Sequence, residues 1–144
     1  MKISRFSDIS LRALMYLGSD PDRTIPSAEM AEKLRVSKEH LVKGLQTLVG
    51  LGLVESSRGR GGGYALSGDG GEMRLGALVR ETEPTLAMAE CFEADSTCPL
   101  TGNCRLAGVL AEAQRDFFAA LDRYTLDDLL RSDRQTLVQI REAP

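Results

Sequence analysis

From Ser7 onward, apolar residues fall at Ile9, Ala13, Leu14 and Leu17, the spacing of one helix face, until Gly18 and the pair Asp20-Pro21 end the run. This pattern predicts a first helix. Ser27 is placed to cap a second, AEMAEKL, and Ser37 to cap a third, KEHLVKGLQTLVG, with Arg35-Val36-Ser37 as the tight link between them. Two helices joined by so short a turn predict a helix-turn-helix. The pattern then shortens to strands from Leu53 to Ser56 and from Tyr64 to Leu66, around a glycine-rich turn from Arg58 to Gly63. That is a hairpin, or wing. After the loop Gly68-Asp69-Gly70-Gly71, the segment MRLGALVRETE predicts a fourth, short helix. Farther on, Leu106, Leu110, Ala113, Phe117, Leu121 and Tyr124 recur at steps of three and four, the seam of a long helix seeking a partner helix. Thr125 with Asp128 predicts a capping box opening a last helix, DDLLR, and the tail after Ser132 carries no clear pattern.

These elements predict a mainly α fold with a small β-hairpin, a winged helix-turn-helix followed by a long dimerisation helix. Three segments follow: a DNA-binding domain over 1–83, a cysteine-containing loop over 84–104, and the dimerisation helix with its tail over 105–144. A chain of 144 residues can bury one modest core, or one small module whose extension is completed by a second copy. A homodimer is therefore expected, against the alternative that the long helix packs only within its own chain. Paired reading heads also suit double-stranded operator DNA with two-fold related half-sites.

Composition narrows the class. With 42% hydrophobic and 27% charged residues the chain is an ordinary globular protein, and no apolar run approaches the roughly 18 residues of a membrane span. The opening MKISRFSDIS is broken by Arg5, Asp8 and Arg12, unlike a signal peptide, so a cytoplasmic location is expected. The formal charge of −3 is unevenly spread: Lys and Arg outnumber Asp and Glu up to residue 67 and are outnumbered after it. Only the first half suits a polyanion.

In the third helix, Leu41, Leu45, Leu48 and Val49 form the apolar stripe, which leaves Lys38, Glu39, His40, Lys43 and Gln46 on the polar surface. Lys38, His40 and Lys43 can bond phosphates or base acceptors, Gln46 can pair with adenine, and Glu39 can accept from cytosine. The alternative is a merely solvated helix face. Arg58 and Arg60 sit among glycines that remove bulk and permit positive φ, so the wing tip can enter a narrow groove carrying two guanidiniums. A nucleotide-binding glycine loop fits less well, because no helix starts directly after the glycines and no Gly-Lys-Ser/Thr triplet occurs.

All three cysteines lie in CFEADSTCPLTGNC, at Cys91, Cys98 and Cys104. An odd set of thiols in a reducing compartment stays free or binds metal, and this polar loop is a poor place for buried apolar cysteines. The gaps are wider than the usual pairs of structural zinc sites, and His40 lies on the candidate reading helix. Iron-sulfur clusters take ligands spread along a wrapping loop, so the spacing admits a cluster without requiring one.

The winged helix ending in RGRGGGY, the three-cysteine loop and the long helix after it together resemble the Rrf2 family of bacterial transcription regulators over nearly the whole chain. KEHLVKGLQTLVGLGLVESSRGRGGGYAL, VRETEP, and RLAGVL leading to FFAALDRYTLDDLL are most similar to the family's nitric-oxide-sensing repressors. The resemblance implies an iron-sulfur cluster of the 4Fe-4S type held by Cys91, Cys98 and Cys104. It also implies a fourth ligand, an aspartate near the start of the first helix supplied by the other subunit, and Asp8 occupies that place. Taken alone, Asp8 is simply an acid favoured by the helix dipole in a first turn. Two departures stand out: the first cysteine gap is slightly longer than the family's pattern, and Ala107 replaces the histidine that follows the third cysteine in the branch regulating cluster assembly. That branch, a sensor of cluster supply, becomes the second reading.

The resemblance thus implies a repressor that leaves its operator when nitric oxide attacks the cluster. A zinc-bound or thiol-based redox regulator would keep the DNA contacts without a cluster. An enzyme or electron carrier would keep a cluster and ignore DNA, but no nucleophile and base set supports one, and His40 alone is a poor base.

Overall fold

The computed structural model describes residues 2–142, apart from the side chains at 133 and 134. Six helices and one hairpin follow in the order α1 (Arg5–Gly18), α2 (Ser27–Lys33), α3 (Lys38–Gly50), β1 (Val54–Ser57), β2 (Gly63–Leu66), α4 (Leu75–Thr82), α5 (Arg105–Leu121) and α6 (Leu126–Glu142). Short 3-10 turns at Gly70–Glu72 and Glu90–Phe92 lie between them. The mainly α winged architecture read from the pattern is the one observed.

α1 begins at Arg5 because Ser4 is its cap: the Ser4 hydroxyl accepts from the Ser7 amide at 3.1 Å. Its apolar face, with Ile9, Ala13, Leu14 and Leu17, is buried against Leu41, Leu45 and Leu48 of α3 and Met30 and Ala31 of α2. Each leucine so buried contributes about 1.5–3 kcal/mol. Ser37 does stand at the N-cap of α3, but its side chain makes no cap bond, and Ser27 lies inside α2 with Pro26 at the cap. Proline fixes the extended backbone a cap needs, which a hydroxyl is then not required to hold.

The hairpin pairs Val54 with Leu66 and Ser56 with Tyr64 in antiparallel register. A short bridge extends it: the Ile25 amide donates to the Tyr64 carbonyl at 2.8 Å and the Tyr64 amide to the Ile25 carbonyl at 2.9 Å. The wing is therefore latched to the segment that leads into α2.

The C-terminal helix is far longer than DDLLR. Its capping box forms, with the Thr125 amide donating to the Asp128 carboxylate at 2.9 Å and the Asp128 amide to the Thr125 hydroxyl at 3.3 Å. α6 then runs back along α1, where Leu126, Leu130 and Ile140 join the core and Arg141 pairs with Asp20 at 3.2 Å. A methyl at Gly18 would run into the Leu130 side chain, so the glycine leaves the space on α1 that Leu130 fills.

α5 ends at Leu121, before Tyr124. Leu106 and Val109 remain 62% and 55% exposed in the single chain, while Phe118, farther along α5, is buried and lies under the Arg80 guanidinium, 4.3 Å from the ring centre. Arg80 also pairs with Asp122 at 2.7 Å, which fixes α4 to the end of α5. The Asp122 carboxyl is held below its ordinary value chiefly by the Arg80 side-chain hydrogen bonds, with smaller help from Arg74 and the Ala77 amide.

Candidate nucleic-acid interface and cysteine loop

The helix-turn-helix turns at Arg35, whose φ of 53° places a non-glycine residue in the left-handed region. The Val36 amide donating to the Ala31 carbonyl at 3.0 Å closes that turn. From it, α3 buries Leu41, Gly44, Leu45 and Leu48 and leaves Lys38, Glu39, His40, Lys43 and Gln46 exposed. One surface therefore gathers the polar residues expected to meet DNA, with the first turn of α3 leading.

Arg58 and Arg60 are exposed on the wing turn. Its glycines serve different ends. Gly59 and Gly61 take φ of 97° and 83°, whereas a methyl on Gly62 would lie 2.5 Å from the Ser57 carbonyl oxygen and one on Gly63 2.5 Å from that of Ile25. The first two let the tip reverse, and the others let it close upon itself and upon the Ile25 strand.

α3 rests on α1 at its glycine: a methyl on Gly44 would sit 3.0 Å from the Ser10 hydroxyl, which itself donates to the Phe6 carbonyl at 2.9 Å. Asp8 lies half a turn from this contact, half-buried, and pairs with Arg12 at 2.7 Å. The start of α1 is also tied to the far end of α4, since the Ser4 amide donates to the Glu83 carboxylate at 2.8 Å. Glu83 is the last residue before the cysteine segment.

Within that segment, Glu90 accepts from the Thr97 amide at 3.1 Å and from its hydroxyl at 2.8 Å. These bonds, the side-chain one first, lower the Glu90 carboxyl from its ordinary value. Residues 90 and 97 immediately precede Cys91 and Cys98, so one clasp ties together the backbone that leads into the first two cysteines. Below it, the Thr101 amide donates to the Cys98 carbonyl at 3.1 Å, Gly102 takes a φ of 98°, and Cys104 stands at the N-cap of α5. All three thiols are free and half-buried. Among the described residues no three His, Cys, Asp or Glu side chains converge closely enough to hold a single ion. The donor set is nonetheless one an iron-sulfur cluster fits: three unpaired thiols in one loop that carries no helix or strand beyond a single turn. The Ser4–Glu83 bond connects the start of α1, which bears Asp8, to the residue that leads into the cysteine loop.

Sequence reasoning did not single out Glu83, the Glu90–Thr97 clasp or the Ser10–Gly44 contact. The clasp had a visible signal, an acid and a hydroxyl each directly before a cysteine. The other two depend on which surfaces meet.

The model of the Rrf2 family, described as iron-dependent transcriptional regulators, matches residues 3–132. The chain belongs to the Rrf2 family. It is 42% identical over 132 residues to the HTH-type transcriptional repressor NsrR of Streptomyces coelicolor, covering 90% of this chain and 88% of that protein. It is 38% identical over 146 residues to the HTH-type transcriptional regulator NsrR of Bacillus subtilis, covering 99% and 100%. The solved structure of T. potens IscR shares the fold, with a TM-score of 0.73 at 23% identity over 94% of this chain and 90% of that one. As an Rrf2 protein the chain is a DNA-binding transcriptional regulator and not an enzyme. No helix among its described residues is long and apolar enough to cross a membrane.

Proposed function

We propose that this chain is a cytoplasmic repressor that binds two-fold operator DNA as a homodimer and leaves it in response to nitric oxide. Its similarity to proteins named NsrR supports the class, and the Gly44–Ser10 contact carries the switch. The reading helix lies directly on the helix that bears Asp8, so a pull on the first turn of α1 reaches α3 without a flexible side chain to absorb it.

When bound, an iron-sulfur cluster, 4Fe-4S by the family resemblance, supplies iron that reacts with nitric oxide; Cys91, Cys98 and Cys104 would hold it, with Asp8 of the partner subunit as a harder fourth ligand. The chain's own residues supply the rest. Asp8 engaged by the partner's loop sets the orientation of α1, and through Gly44 that of α3. Asp8 released is taken by Arg12, the partner it has in this structure at 2.7 Å. Lys38, His40 and Lys43 hold phosphates or base acceptors, Glu39 and Gln46 face base edges, and Arg58 and Arg60 approach the adjacent minor groove. Shifting such a regulator from nearly all bound to nearly all free requires about 5.5 kcal/mol between its states. A small rotation of two linked reading heads divides that demand over every contact they make.

The test is anaerobic protein reconstituted with iron and sulfide, followed by native mass spectrometry and operator binding before and after nitric oxide. The expected result is a loaded dimer that binds tightly, loses affinity at least ten-fold on exposure, and is matched by unloaded Cys98→Ser. Protein that takes up neither element, or an unloaded form that binds as tightly as the loaded one, overturns the reading.

A further inference from the structure

Between α3 and the wing lies an open cleft of ≈ 340 Å³, walled by Gln46 and Val49 on one side and Ser56, Ser57, Arg58 and Tyr64 on the other. That is about ten times the ~30 Å³ share of one liquid water. It is rich in donors: one amide, three hydroxyls and one guanidinium. None of these side chains has a hydrogen-bond partner among the described residues, and no carboxylate lines the cleft.

The wall is also fixed. Ser56 stands directly opposite Tyr64 in the hairpin. Tyr64 is bonded through both its amide and its carbonyl to Ile25, and its ring packs on the core. Unpaired hydroxyls on a rigid strand pair keep their direction without a ligand to hold them.

A phosphodiester carries one negative charge and only acceptors, which matches neutral donors with one cation and no acid. If α3 occupies a major groove while the Arg58–Arg60 tip enters the neighbouring minor groove, one sugar–phosphate strand separates the two and has to pass between them. We propose that this cleft is the seat of that strand, with the Tyr64 and Ser56 hydroxyls, which share one face of the hairpin, donating to a single backbone phosphate. The inference rests on the reading of α3 and the wing as the DNA-contacting elements, and it adds residues that position the protein instead of reading sequence. Val49 covers the sugar side, and Arg58 supplies the charge.

The experiment pairs Tyr64→Phe and Ser56→Ala, which keep the packed ring and the strand, with operator duplexes carrying single neutral methylphosphonates. Each variant is expected to weaken binding about ten-fold, equally on operator and on unrelated DNA, because a bond to a charged phosphate is lost. The slope of log affinity against log salt should stay unchanged in both, whereas Arg58→Ala should reduce it by about 0.9. One methylphosphonate position should cost the wild type more than it costs Tyr64→Phe, because that variant has already lost one of the phosphate's partners. Two results overturn the proposal while leaving operator binding intact: unchanged affinity in both variants, or losses confined to the operator sequence. Stabilisation of the free protein by inorganic phosphate that Tyr64→Phe abolishes, with DNA affinity unaltered, would identify a free-anion site and overturn it as well. Intact protein that binds no DNA at all would instead remove the reading on which it rests.

Discussion

Replacing Gly63 by alanine should unlatch the wing from the body of the domain. The added methyl would lie 2.5 Å from the Ile25 carbonyl oxygen, 2.6 Å from its carbon and 2.9 Å from the Pro26 nitrogen. All three are backbone atoms, so no side-chain rotation relieves the overlap. Either the strand stays and the site is overpacked, at about 1–3 kcal/mol, or the chains part. Parting gives up the two Ile25–Tyr64 bonds of 2.8 and 2.9 Å, each contributing about 0.5–1.5 kcal/mol. The two routes cost the same order, and the chain takes the cheaper. Against this, alanine restricts the unfolded chain and favours folding by about 0.4–1 kcal/mol. The net expectation is destabilisation by about 1–2 kcal/mol, read as a lower urea midpoint. Gly68 is the control: it has open space around it and no positive φ, so Gly68→Ala should be neutral or slightly stabilising. Amide exchange supplies a local readout, since the Tyr64 amide should lose protection in Gly63→Ala before the core does. Equal midpoints for the two variants, or a Tyr64 amide protected as in the parent, would refute the reasoning.

Three further outcomes follow from the structure. Asp122 has its carboxyl below the ordinary 3.8 because Arg80 binds the charged form; its contribution is therefore complete above that value and lost as pH falls through the lower folded one. Asp122→Asn should flatten stability below about pH 4 relative to the parent, and an acid limb as steep as the parent's would refute this. Leu106→Glu with Val109→Glu, at 62% and 55% exposure in the single chain, should leave helical content unchanged and yield a monomer in sedimentation; a persisting dimer would show that this face is not the interface. Asp8→Ala removes an exposed pair with Arg12, so the unloaded protein should change by less than about 0.5 kcal/mol. The loaded form's absorption should shift with the loss of a ligand, and an identical spectrum would count against Asp8 as that ligand.

The arrangement explains why a regulator of this size carries its glycines and small polar residues where it does. Gly44 and Ser10 bring α3 close against α1, whereas Gly18 leaves the space on α1 that Leu130 of α6 fills. A packed contact transmits a displacement where a long side chain would damp it. In the proposed switch, Glu83 and the Glu90–Thr97 clasp would anchor the two ends of the route, one at the cap of α1 and one inside the cysteine loop.

Local signals alone determined α1, α3, the wing and the Thr125–Asp128 box. Each rests on residues within a turn or two of one another: the period of Ile9, Ala13, Leu14 and Leu17, the stripe of Leu41, Leu45 and Leu48, the glycines after Arg58, and a reciprocal cap. The length of α6 was hidden because Leu126, Leu130, Leu137 and Ile140 are thinned by charged neighbours, and only the face of α1 they cover makes them a helix side. Ser27 looked like a cap and is not one, because the Ile25 bridge to Tyr64 has already set the chain direction before Pro26. The same holds for Phe118, drawn inward by Arg80, and for Glu83, drawn to Ser4 across the chain. A sequence states what each residue can bury or bond; which of those capacities is used is decided when distant surfaces come within reach, since packing and hydrogen bonding act only at contact range.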